Sequence, residues 1–160
     1  MRQVFTALAI GALAVGSYLL ITRFVLQSVE VVGVSMMPTL RNSERYLLNR
    51  WIFHVRDPRP GDIVVLRDPV DHGYAVKRVI AGAGDTVYLR NGRVVVNGKL
   101  LVEPYLRPGT PTFPYLSARE QRVSCGKDQY FVLGDNRMNS ADSRSYGAVS
   151  RGNILGLIVR

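Results

Sequence analysis

The sequence predicts a mainly β protein: a compact antiparallel, barrel-like body behind one N-terminal membrane-crossing helix. Three observations predict it. Val4 to Thr22 carries no charge at all. From Gln27 onward, short β-branched runs alternate with Gly, Pro and Asn turn signals. Nothing in that body repeats with the period of an amphipathic helix. At 160 residues and 47% hydrophobic content the chain suits one folded domain rather than a disordered one. Its net charge of +9 makes it strongly basic. The single cysteine, Cys125, excludes an internal disulfide framework and any multi-cysteine zinc site. His54 and His72 leave too little for a histidine-rich metal centre.

In chain order, residues 1–3 form a short N-terminus with Arg2. Residues 4–22 form the span, roughly 28 Å long as a helix, about the hydrocarbon thickness of a bilayer. Arg23 follows it. No small-x-small cleavage pattern appears before Val31, which argues for a retained anchor over a cleaved leader. Residues 27–160 form the body. Ile63–Leu66 follows a Pro-Gly-Asp turn, and Val76–Ile80 precedes Gly82-Ala-Gly84. Val87–Leu89 and Val94–Val96 flank Asn91-Gly92, and Asn97-Gly98 follows. Asn-Gly between valine-rich runs is a strong hairpin signal, because both central positions of the tight turn need positive φ. Tyr130–Leu133 and Ile154–Val159 read as further strands. Pro104 to Pro114 reads as an ordered excursion or a mobile loop.

Three places have residues suited to chemistry. Ser35 closes the extended run Val31–Val34 and opens Ser35-Met-Met-Pro-Thr-Leu40, where it reads either as a presented hydroxyl or as a capping serine. Lys77 shares a strand face with Ala75 and Val79, an apolar face that disfavours its charged form; a strand-edge lysine snorkelling to water is the alternative. Arg78 points the other way, with Val76 and Ile80. The third place is Gly134-Asp-Asn-Arg-Met-Asn-Ser-Ala-Asp-Ser-Arg144. It fails as a calcium loop, because Arg137 stands at the third ligand position, Met138 does not supply the spacing, and no glutamate closes it; a plain Asx-turn network is the other reading. Asp71 and His72 are adjacent and would point apart on a strand, so they do not make a triad with Ser35.

In this order, the serine box, Arg59-Pro-Gly-Asp-Ile-Val-Val65, Lys77-Arg-Val-Ile80 with Gly82-Ala-Gly-Asp85, and the final box resemble the bacterial type I signal peptidases over almost the whole chain. The last box is the most specific. The resemblance implies a membrane-anchored serine endopeptidase, with no metal or organic cofactor, that removes signal peptides from exported preproteins after small residues at −1 and −3. It implies Ser35 as nucleophile and Lys77 as general base, with Ser140 orienting the lysine and Asp142 and Arg144 bracing the loop. It further implies that Val31, Val32, Gly33, Val34, Ala75 and Val76 flank an extended substrate as an added strand. Some relatives have an oxyanion-hole serine where this chain has Gly33, which leaves the Ser35 N–H as the identified donor. The implied location is a bacterial plasma membrane, single-pass, with the body outside the cytoplasm. Partners are then preproteins and the lipid bilayer, not nucleic acid. Trp51, Ile52 and Phe53, with Arg50 and Arg56, read either as contacts with the membrane interface or simply as core and rim.

Two other classes compete. A self-cleaving repressor peptidase shares the Ser/Lys logic, but the apolar span leaves no room for a helix-turn-helix before Ser35. A tethered basic module binding anionic lipid or polymer would use the charge, but leaves Lys77 and the final box without a purpose.

Overall fold

The computed structural model describes residues 2–20 and 25–159. Met1, Arg160 and residues 21–24, which include the end of the expected span at Ile21 and Thr22, lie outside them. Helix α1 (Arg2–Leu20) is unburied, with a mean hydropathy of 1.3 over Arg2–Leu19, long and apolar enough to cross a membrane.

The body is antiparallel β-structure in two sheets. The larger contains β1 (Leu26–Glu30), β2 (Arg45–Asn49), β3 (Ile63–Arg67), β4 (Tyr74–Ala81), β9 (Gln129–Leu133), β10 (Val149–Ser150) and β11 (Ile154–Val159). Their order is β1-β2-β11-β3-β4-β9-β10. The smaller contains β5 (Thr86–Arg90), β6 (Arg93–Val96), β7 (Lys99–Leu100) and β8 (Glu120–Ser124), in the order β7-β6-β5-β8.

The apolar runs legible in the sequence are the strands covered on both faces. Alternation sends Val64, Leu66, Val79 and Val132 into one core cluster with Phe53 and Ile154. Ile80, Phe131 and Leu133 face the other way and pack on Val87, Leu89 and Val94 of the small sheet. Ile63 and Val65 join Val31, Met36, Leu40, Leu48 and Ile158 in a third cluster beneath the serine turn. Both Asn-Gly turns form as expected, with φ of 52° and 72° at Asn91-Gly92 and 50° and 79° at Asn97-Gly98.

Other elements differ from the sequence reading. Val31–Val34 is not a strand: β1 ends at Glu30, Val31 adds one more rung through bonds with Glu44 and Ser43, and Gly33 turns the chain at φ 110°. Strands β1, β2 and β8 are part-polar and lack a continuous apolar run, so composition did not mark them. Helices α2 (Ile52–Val55) and α3 (Ser143–Tyr146) are single turns, too short to show a period. Asp71 and His72 lie on the turn between β3 and β4 rather than on a strand, with His72 exposed at φ 60°. The Pro-rich segment is an ordered excursion, held by the Thr112 N–H donating to the Gly92 carbonyl and by turns at Glu103–Leu106 and Arg107–Thr110.

Candidate active site

Ser35 sits half-buried at the start of a tight turn whose apolar side chains, Met36 and Leu40, are almost wholly buried. Burying them fixes the backbone that carries the hydroxyl. Lys77 stands in β4, paired across to Val64 of β3, and is 4% exposed. Its Nζ donates to Ser35 Oγ at 3.2 Å, across 42 positions of sequence. Burial drives the Lys77 pKa below its ordinary value; Asp142 and Asp68 pull it back up, and Arg144 adds to the lowering. The lysine is therefore held against a serine hydroxyl in surroundings that disfavour its cation. The snorkelling alternative fails, because the side chain turns inward.

The final box walls this pair. The Gly134 backbone lies so close to Ser35 that a Cβ there would stand 2.6 Å from the Ser35 carbonyl oxygen and 2.2 Å from Ser140 Oγ. The Asn136 N–H donates to the Ser35 carbonyl at 2.8 Å, and its side-chain amide donates to the Val34 carbonyl at 3.1 Å. Asp142 is buried and caps α3. It accepts from Arg144 Nε at 2.8 Å, from Arg144 Nη2 at 2.9 Å and from the Gly134 N–H at 3.0 Å. Asp142 and Arg144 form an ion pair, and the same carboxylate ties α3 to the backbone beside the serine. Ser140 lies against Gly134, and its hydroxyl donates to the Ala141 carbonyl at 3.5 Å rather than to Lys77.

Around the pair, Val32 and Val34 are exposed, Val31 is buried, and Ala75 and Val76 are half-buried. The Gly33 N–H is taken by Asn42 Oδ1 at 2.7 Å, so that amide is not free to serve an oxyanion. β4 pairs with β3 from Tyr74 to Arg78, but with β9 only from Arg78 onward. The Tyr74–Val76 edge on the β9 side is consequently open. Val79 exchanges backbone bonds with the Gly61–Asp62 turn leading into β3, so by alternation Val76 points its N–H and C=O to the open side.

Sequence reasoning missed the charged frame behind the site. Arg78 pairs bidentately with buried Asp135, Nε to Oδ1 at 2.9 Å and Nη2 to Oδ2 at 2.7 Å. Its position among Val76 and Ile80 was the available signal, since an arginine on a buried face needs a counter-charge. Arg137, 2% exposed, reaches Glu103 just ahead of the Pro-rich excursion, a pairing no local pattern announces. Burial raises the Cys125 thiol pKa, which keeps it unreactive as a nucleophile.

A family model described as signal peptidase, peptidase S26, matches residues 2–160. Curated relatives include a signal peptidase I of Bacillus amyloliquefaciens, 36% identical over 149 residues, covering 90% of this chain and 77% of the relative. Signal peptidase I S of Bacillus subtilis (strain 168) is 41% identical over 138 residues, covering 83% of this chain and 74% of the relative. The crystal structure of a signal peptidase I from Enterococcus faecalis V583 superposes with a TM-score of 0.56 at 28% identity, covering 65% of this chain and 98% of that one. The chain belongs to the signal peptidase family, peptidase S26, and is an enzyme of the signal peptidase I type.

Proposed function

We propose that the enzyme cuts signal peptides from exported preproteins with Ser35 as nucleophile and Lys77 as general base. The carrying observation is the 3.2 Å contact between Lys77 Nζ and Ser35 Oγ at a lysine that is 4% exposed. A neutral Lys77 accepts the Ser35 proton as Oγ attacks the scissile carbonyl, and returns it to the leaving amine. Water then releases the acyl group by the same route. The Ser35 N–H is the donor for the oxyanion. Ser140, whose hydroxyl rotor can turn from Ala141, orients the Lys77 amine in the substrate complex.

The substrate lies extended between Val32–Val34 and the open Tyr74–Val76 edge of β4, taking backbone bonds from Val76. Val34, Ala75 and Val76 leave shallow apolar pockets, which select small residues at −1 and −3. Helix α1 anchors the chain in a bacterial plasma membrane, with the body outside the cytoplasm where signal peptides emerge.

Membrane contact in the body rests on Trp51, not Phe53. Phe53 is 7% exposed, packs in the core and lies under the guanidinium groups of Arg56 and Arg151. Trp51 is 54% and Val55 74% exposed, and the neighbouring Arg50 N–H donates to the Val25 carbonyl. Trp51 thus follows directly on a residue bonded to Val25, just ahead of β1. As the one tryptophan of the chain, Trp51 reports directly: its fluorescence should be quenched by lipids brominated near the headgroup. Water-like, unquenched emission from inserted protein would remove this contact.

The functional test is cleavage of a preprotein bearing an Ala-x-Ala site, in detergent, read by mass spectrometry. One cut after the −1 alanine, absent in Ser35→Ala, is expected. A folded wild type in lipid that cuts nothing would favour a non-catalytic tethered module instead.

A further inference from the structure

We propose that Glu103, just ahead of the Pro-rich excursion, is a positioning residue for the nucleophile, acting on it through Arg137. The proposal rests on Ser35 being that nucleophile. Its carboxylate accepts from Arg137 Nη2 at 2.5 Å and Nη1 at 3.3 Å, and from the Tyr105 hydroxyl at 2.7 Å. Arg137 also donates to Thr112 Oγ1 and, through Nε, to the Gly134 carbonyl at 3.0 Å. The Tyr105 ring carries the Arg78 guanidinium 3.8 Å above its centre, and Arg78 in turn holds Asp135.

Two ion pairs, the buried Arg78–Asp135 and the part-buried Glu103–Arg137, therefore grip the residues on either side of Asn136. Asn136 holds the Ser35 and Val34 carbonyls. Arg78 also follows Lys77 directly in β4, so Tyr105 ties the strand of the base to the turn that steadies the nucleophile. Glu103 supplies the charge that keeps Arg137 aimed at Gly134. Without it, a buried guanidinium loses its counter-ion and must re-aim or draw in water. The Gly134–Asn136 wall then loosens, and with it the Ser35 backbone. A misplacement on the order of 1 Å is enough to cost about 10²-fold in rate.

The test compares full-length wild type with Glu103→Gln and Tyr105→Phe, which keep side-chain shape, in preprotein cleavage across pH, with unfolding temperature measured alongside. Val87→Ala, on the small sheet in the core it shares with the larger one, is the matched destabilised control. For Glu103→Gln, kcat should fall about tenfold to a hundredfold, with KM and the midpoint of the acid limb unchanged; Tyr105→Phe should fall less. Val87→Ala should lower the unfolding temperature without that fall in kcat. Three outcomes overturn the proposal: wild-type kcat in Glu103→Gln, a loss of kcat that Val87→Ala reproduces at equal destabilisation, or a moved midpoint, which would mean a direct charge effect on Lys77. Full cleavage by Ser35→Ala would instead overturn the nucleophile assignment beneath it.

Discussion

Lys77→Met should lower kcat/KM by about 10²–10⁴-fold, the usual worth of a general base, and yet raise the unfolding temperature at neutral pH. Both effects follow from one fact: the lysine is buried, and burial penalises its cation. In the unfolded chain Lys77 titrates near the ordinary 10.5; in the folded protein its pKa is lower. Below the folded value both states hold the proton, and the fold bears the full penalty of burying a charge. Between the two values the unfolded chain binds more protons than the folded one, so stability rises with pH through that window. The stabilisation gained with methionine should therefore be largest at low pH and shrink as pH climbs toward 10.5. Activity runs with the neutral amine. Wild-type kcat/KM should rise with pH through a limb lying below the value of an ordinary lysine, a limb missing from the residual activity of the variant. Paired pH–rate and pH–unfolding profiles check this. A limb at the ordinary lysine value, or wild-type cleavage by Lys77→Met, would reject Lys77 as the base.

Gly134→Ala should be the most damaging single-methyl addition in the body. Its Cβ would overlap the Ser140 Cβ at 2.5 Å as well as the Ser35 carbonyl oxygen, and neither is the end of a flexible side chain. Relief requires moving the serine turn or the Ser140 loop, and the second is held by Asp142 and Arg144. Overpacking of this kind costs about 1–3 kcal/mol or more, roughly a 5–10 °C fall in unfolding temperature for a domain of this size. Activity should fall further than stability, because the displaced atoms flank the dyad. Gly152→Ala, whose added Cβ would meet nothing nearer than 3.8 Å, is the control and should be near neutral. Equal behaviour of the two variants would show that the close approach at Gly134 does not shape the site.

Much of the fold was readable because its signals are local. Positive φ at Asn-Gly is a property of two residues. A strand covered on both faces shows itself as an unbroken apolar run, as at Ile63–Leu66. Edge strands such as Glu120–Ser124 carry no such mark, since what makes them strands is the partner beside them. Phe53 stays open between membrane contact and core in the sequence for a similar reason. Nothing local distinguishes it from Trp51 in the run Trp51-Ile-Phe53, and only packing under Arg56 and Arg151 puts one inside and leaves the other out.

By itself the sequence determined the apolar N-terminal segment, the β class and, through the order of its boxes, the family and the two residues proposed for chemistry. It also determined that Lys77 would lie on an apolar face, because strand alternation is local. Only the tertiary structure decided what those residues touch. The meeting of Lys77 with Ser35, of Arg78 with Asp135 and of Glu103 with Arg137 spans 42, 57 and 34 positions. Such contacts depend on β4 lying between β3 and β9, and on a glycine letting two loops close to within van der Waals distance. Strand order and loop approach are set by the burial of the whole core at once, and no short stretch of chain encodes them.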